Sequence, residues 1–200
     1  MKKKILAGVL ACVLLIGIGV GGTLAWLSAN SADVVNTFTV GNINIKLDEA
    51  PLKSDGTLDT AATRVTSIDT YKMVPGTVLP KDPKATVLAN SEECWLFVKI
   101  IESTDAKFSD FMSYEIADGW TSLGDGVYYQ TQTVKLSDKD QGFGILKNDQ
   151  VKVKDTVTKE MMDAVDAAKL PKLTFKAFAH QAANVDFATA SAAAVAYFNK

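Results

Sequence analysis

The sequence predicts an all-β protein, an antiparallel β-sandwich with one or two short helices in its C-terminal half. Three observations predict it. Apolar and polar residues alternate in several short runs, Pro- and Gly-rich breaks separate those runs, and helical spacing is confined to two late segments. Strands and helices do not alternate along the chain, which argues against a βαβ fold.

The first strand is expected over residues 40–47. Ile43, Ile45 and Leu47 share one face, and Asn42, Asn44 and Lys46 the other, while Phe38 and Val40 are in the opposite phase. Gly41 lies at the phase change and marks a bulge or bend. Residues 94–101 are apolar on both faces: Leu96, Val98 and Ile100 on one, Trp95, Phe97 and Ile101 on the other. That pattern suits a central strand covered on both sides. Residues 127–136 are rich in Tyr, Thr and Val, which favour pleated surfaces. Val151 and Val153 alternate with Lys152 and Lys154, and Leu173, Phe175, Ala177 and Ala179 alternate with Lys172, Thr174 and Lys176. Turn chemistry separates these runs at Val74-Pro75-Gly76, Leu79-Pro80-Lys81-Asp82-Pro83, Gly124-Asp125-Gly126 and Leu170-Pro171. Residues 57–66 read as a polar loop. The helices are expected over residues 158–168, with Met161, Val165 and Ala168 on one face, and over 186–198, where Asp186 is the candidate N-cap.

At 200 residues, 48% apolar and 22% charged, the composition is globular and fits one ordinary domain or two small ones. Net charge is −2, so no basic field supports nucleic-acid binding. The total hides an asymmetry. The first 25 residues hold three lysines and no acid, which leaves the remainder at −5. Lys2, Lys3 and Lys4 precede an apolar run, residues 5–20, and small residues follow at Gly21-Gly22-Thr23-Leu24-Ala25. That order is a secretory signal peptide, with Thr23 and Ala25 suited to the −3 and −1 positions and Trp26 as the mature start. Ala29 and Ala32 are alternative ends. A permanent anchor would want ~20 apolar residues, and Val9-Leu10-Ala11-Cys12 only loosely resembles a lipobox, because eight more apolar residues follow the cysteine. The chain thus divides into a signal (1–25), an extended arm (26–37) and a sandwich domain (38–200). Membrane contact is expected only through the uncleaved signal.

Little in the sequence carries catalytic chemistry. With the signal removed, Cys94 is the sole thiol, so no internal disulfide is available. Its strand-like setting reads as a buried, inert core residue. His180, the only histidine, sits on the polar side of a strand with no nucleophile indicated. There is no HExxH helix and no Gly-rich phosphate loop. Asp138-Lys139-Asp140-Gln141-Gly142 opens like a calcium loop and Asp149 stands twelfth, but Phe143 occupies the sixth position, where glycine is needed; an acidic turn is the alternative. No cofactor and no metal are expected. Trp26 and Leu27, two large apolar residues opening a polar arm, are more informative. Either they fray or the arm is buried against something, in its own subunit or in a neighbour, as an extended segment added to an open sheet edge would be.

The stretch Gly22-Thr23-Leu24-Ala25-Trp26-Leu27, followed by Val35-Asn36-Thr37-Phe38-Thr39-Val40-Gly41-Asn42-Ile43, resembles the start of the TasA/camelysin family. These are exported proteins of Gram-positive bacteria, processed by a dedicated signal peptidase of the SipW type. Met73-Val74-Pro75-Gly76-Thr77-Val78-Leu79-Pro80-Lys81-Asp82-Pro83 is similar to the family's Pro-Gly…Lys-Asp segment. The likeness covers the signal junction and the first half of the mature chain. It implies a jelly-roll-like sandwich, secretion to the cell surface or extracellular matrix, and self-association into biofilm fibres, in which the N-terminal segment of one subunit completes a sheet of the next. On this chain the donor arm would be residues 26–37, with Trp26, Leu27, Val34 and Val35 as apolar anchors. Head-to-tail contacts that do not close give filaments. Two other functions stay open: a surface adhesin or binding module, and a camelysin-like metallopeptidase, for which one histidine leaves only carboxylates as an obvious ligand set.

Overall fold

The computed structural model describes residues 41–68, 71–166 and 169–200, all within one unit, Val40–Lys200. Ten strands are described: β1 (Ile45–Asp48), β2 (Val78–Pro80), β3 (Lys84–Val87), β4 (Cys94–Glu102), β5 (Met112–Ser113), β6 (Trp120–Gly124), β7 (Val127–Gln130), β8 (Gln141–Gly144), β9 (Gln150–Val153) and β10 (Leu173–Gln181). Three helices accompany them: α1 (Phe108–Phe111), α2 (Lys159–Asp163) and α3 (Phe187–Phe198). The strands form three antiparallel sheets, ordered β1-β3-β8, β10-β4-β7-β6 and β2-β9-β5. The all-β sandwich expected from the sequence is the observed fold.

β4 organises the core. It lies between β10 and β7, and its alternation serves two apolar layers at once. Cys94, Leu96, Val98 and Ile100 pack in the main core with Ala85 and Val87 of β3 and Val151 and Val153 of β9. Phe97, on the opposite face, is fully buried in a second cluster with Ala190, Ala194 and Phe198 of α3. α3 is legible in its spacing, since Phe187, Ala190, Ala194 and Phe198 fall on one helical face. The two small alanines let the helix approach the sheet. Asp186 is its N-cap, its carboxylate accepting from Thr189 N at 2.8 Å.

Several boundaries differ from the expected ones for local reasons. Among the described residues the β1 ladder begins at Ile45, and 41–44 of the expected strand lie outside it, because Asn44 N turns to the Ser91 hydroxyl (3.1 Å) and leaves only its carbonyl to Leu88 N (2.9 Å); residue 40 lies outside the described residues. α2 stops at Asp163, where Ala164 is the C-cap; its start is as expected, Thr158 Oγ1 accepting from Met161 N at 3.3 Å. The strand expected over 127–136 is β7 followed by a single bridge, Val134 to Cys94. β8 runs through the calcium-like segment and pairs with β3, so residues 141–144 are ladder and not ligand loop.

The β6–β7 hairpin turns on Asp125-Gly126, with φ of 50° and 73°, the paired positive angles that a two-residue turn requires. A Cβ on Gly126 would also stand 2.4 Å from the Ile100 carbonyl oxygen, a backbone atom that cannot move aside cheaply. Gly126→Ala will therefore cost more than the ~1–2 kcal/mol of left-handed strain alone. Gly124→Ala, which meets open space, will cost only that strain. Chemical denaturation of the two variants measures the difference, and equal losses would contradict the clash.

Candidate functional site

β1 and β10 are edge strands of different sheets. They approach closely, yet exchange no backbone hydrogen bond among the described residues. Ladder arithmetic shows which groups face the seam. On β1, Leu88 N bonds Asn44 O, so the hydrogen-bonded pairs with β3 fall at Lys46 and Asp48, and the N–H and C=O groups of Ile45 and Leu47 point to the open edge. On β10, the Ser103 N–Lys172 O and Ala182 N–Glu93 O bonds fix the same parity against β4. Leu173, Phe175, Ala177 and Ala179 therefore turn their backbone groups outward while their side chains enter the core.

At the end that holds Leu47 and Leu173, both of which line it, the seam opens into a trough of about 1050 Å³. Its apolar lining includes Leu47, Leu79, Met112, Val151, Leu173 and Phe175, all of them part of the main core or packed against it. Met73 and Met162 line it too, and unbranched thioethers adapt to a variable occupant. Among the described residues, nothing covers the hydrophobic core between these two strands, and their facing backbone groups have no partner. The far edge of the same sheet is different. β6 carries a register shift between Ser122 and Gly124, and then Gly124 and Asp125 at positive φ, which blunts it against pairing.

The trough ends at a buried ionic clasp. Asp48, Glu49 and Asp82 are 5%, 6% and 4% exposed. Arg64, the chain's only arginine, reaches both aspartates: Nε to Asp48 Oδ1 at 2.5 Å, Nη1 to Asp82 Oδ2 at 2.9 Å, and Nη2 to the Asp48 and Asp82 carbonyls at 3.0 and 2.8 Å. Asp82 Oδ1 also accepts from Ala50 N at 2.7 Å. Lys46 adds a contact to Asp48 at 2.6 Å, and Lys81 pairs with Glu49 at 2.6 Å. Burial alone would raise the Asp48 carboxyl, but hydrogen bonds from Lys46 and Arg64 outweigh it and hold the group below its ordinary value. Asp149 goes the other way, raised by burial and by the charge of Asp82. Tyr71, whose ring lies 5.2 Å from Lys81 Nζ, lines the trough with a buried hydroxyl that has no hydrogen-bond partner among the described residues. Burial and the charges of Glu49 and Asp82 raise its pKa.

The residues singled out from the sequence fare differently. Ala25, Trp26, Leu27, Val34 and Val35 lie outside the described residues. Cys94 is fully buried, and burial together with neighbouring Glu93 pushes its thiol up to about 11. It packs in the core as expected. His180 stands next to last in β10, half-buried, with Nδ1 3.1 Å from Gln181 O and its ring 6.2 Å from that of Phe178; on the same face Phe178 packs against Tyr197 and Phe198 of α3. Asp140 accepts from Ala89 N at 2.9 Å. Among the described residues, no three His, Cys, Asp or Glu side chains are grouped to hold a metal ion. The clasp was missed: residues 57–66 look like a polar loop, and only the uniqueness of Arg64 among 20 lysines signals it. Comparison with family models, with curated proteins and with solved structures found no match.

Proposed function

We propose that the chain is a secreted cell-surface or matrix structural protein whose subunits join by strand donation, the arm of one copy (26–37) entering the β1/β10 seam of the next. The observation that supports this reading is the pair of edges that, among the described residues, are unpaired and flank an uncovered core. β1 and β10 approach within 8 Å, less than the two strand spacings, about 9.6 Å, that a strand between them occupies, so entry parts them; an extended segment then gains main-chain hydrogen bonds from the edge it pairs with and buries alternate side chains. Trp26, Leu27, Val34 and Val35 are the apolar residues the arm has to offer. On this reading the partners are other copies of the chain and, during export, a signal peptidase, and the protein is not an enzyme.

The mature chain, 26–200, concentrated and viewed by negative-stain electron microscopy, should form thin regular filaments. Replacing both Val34 and Val35 by Asp should abolish filaments, because two carboxylates cannot enter an apolar trough, while circular dichroism shows an unchanged monomer. Normal assembly of that variant would remove the arm from the account. The trough also favours a second reading, a binding module for an extended apolar ligand. A parent chain that stays monomeric at all concentrations would favour it, and metal content after purification would then test the peptidase alternative.

A further inference from the structure

The seam has a built end, and we propose that Arg64 and Val65 form a register stop for the strand that enters beside β1. This rests on the strand-accepting reading above. Immediately after β1, the edge is no longer open: Glu49 N donates to Val65 O at 2.9 Å, and Val65 N to Glu49 O at 2.7 Å. Val65 thus supplies, from the chain itself, one rung of the missing strand. The bridge is antiparallel, so the chain runs on from Val65 into Thr66, Ser67 and Ile68, which line the trough; an incoming segment that bonds Ile45 and Leu47 abuts this Val65 segment.

β1 offers only those two residues' worth of edge, which specifies register weakly. A slip of one residue turns the apolar face outward, but a slip of two keeps the face and only changes which residues pair. The ladder alone does not oppose that second slip; a fixed obstacle does. Val65 is fixed by its neighbour. The Arg64 guanidinium makes five hydrogen bonds to Asp48 and Asp82, two of them to backbone carbonyls. Lysine has neither the donor count nor the planar fork to reproduce this. Arg64 is here a positioning residue, acting through Val65.

The test maps register in assembled mature chain. Lys46, whose side chain is 55% exposed, occupies a position not hydrogen-bonded to the entering strand, where facing Cβ atoms come closest. Lys46→Cys is combined with a single cysteine scanned along residues 31–37, and intermolecular disulfides are quantified on gels; Cys94, being buried, stays silent. With Val65 intact, one arm position should dominate. Val65→Pro removes the N–H that bonds Glu49 O without touching a charge, and should spread cross-linking to positions two residues away, with the dominant yield falling at least twofold. Arg64→Lys, which keeps the charge, should do the same and carries the test if the proline variant does not fold. An unchanged single position in the folded variants overturns the register stop but leaves strand entry standing. No cross-link at any position in the parent overturns strand entry, and the stop with it.

Discussion

Arg64→Ala will destabilise the monomer by about 3–5 kcal/mol at neutral pH, the cost of leaving buried charges without their partner. The side chains of Asp48 and Asp82 are only 3% and 6% exposed, so water cannot replace the lost guanidinium. For a domain of this size the loss lowers Tm by about 6–20 °C. The pH dependence gives a sharper signature. In the parent, Asp48 is held below its ordinary value, so its contribution is fully present above the unfolded carboxylate pKa. It is lost as pH falls through the lowered folded value. In the variant Asp48 keeps Lys46 but loses Arg64, so burial is opposed less and the carboxyl rises from its lowered value. The gap between parent and variant should therefore narrow as the pH is taken down through the carboxylate range. Denaturant titrations at neutral pH and near pH 4 measure it; a gap that widens on acidification contradicts the clasp's role.

Phe97→Ala will cost about 3–5 kcal/mol, as expected for truncating a fully buried aromatic. Its ring centroid lies 6.4 Å from Tyr129, 6.3 Å from Phe178 and 6.3 Å from Phe187. With Trp95, whose ring lies 5.2 Å from that of Phe187, it is how β4 holds α3. A helix of 12 residues is marginal alone even when alanine-rich, so this one depends on the aromatic platform beneath it. Hydrogen exchange in 187–198 should speed up more than in the β1-β3-β8 sheet. A loss under 1 kcal/mol, or uniform loosening of the whole domain, would show that α3 is held some other way.

These two sites differ in how far the sequence reveals them. The double-faced apolar pattern of β4 marks a central strand, because both faces are written into nine consecutive residues. α3 shows its cap and its inward stripe for the same reason, and Asp125-Gly126 announces its turn. The clasp joins residues 48, 64 and 82 through the chain's path in space, and no local period records that. Lys81-Asp82 is visible as part of a motif that resembles a family segment, but its role, closing an ionic cluster beneath a loop, needs the fold. The open seam is hidden likewise. Leu173, Phe175 and Ala177 announce an inward face, while the emptiness beside β10 depends on which strand is its neighbour. Short strands such as β5 and β8 escape for a different reason: two to four residues containing Gly142 and Gly144 carry too little alternation to stand out.

The most direct test of the central claim is amide hydrogen exchange, compared between monomer and assembled protein. Strand entry at the seam predicts new protection at Ile45 and Leu47 on β1 and at Leu173 and Phe175 on β10, the residues whose N–H groups face the open edge, with β6 unchanged. Assembled protein in which those amides exchange as fast as in the monomer, or in which protection appears along β6 instead, would contradict the account.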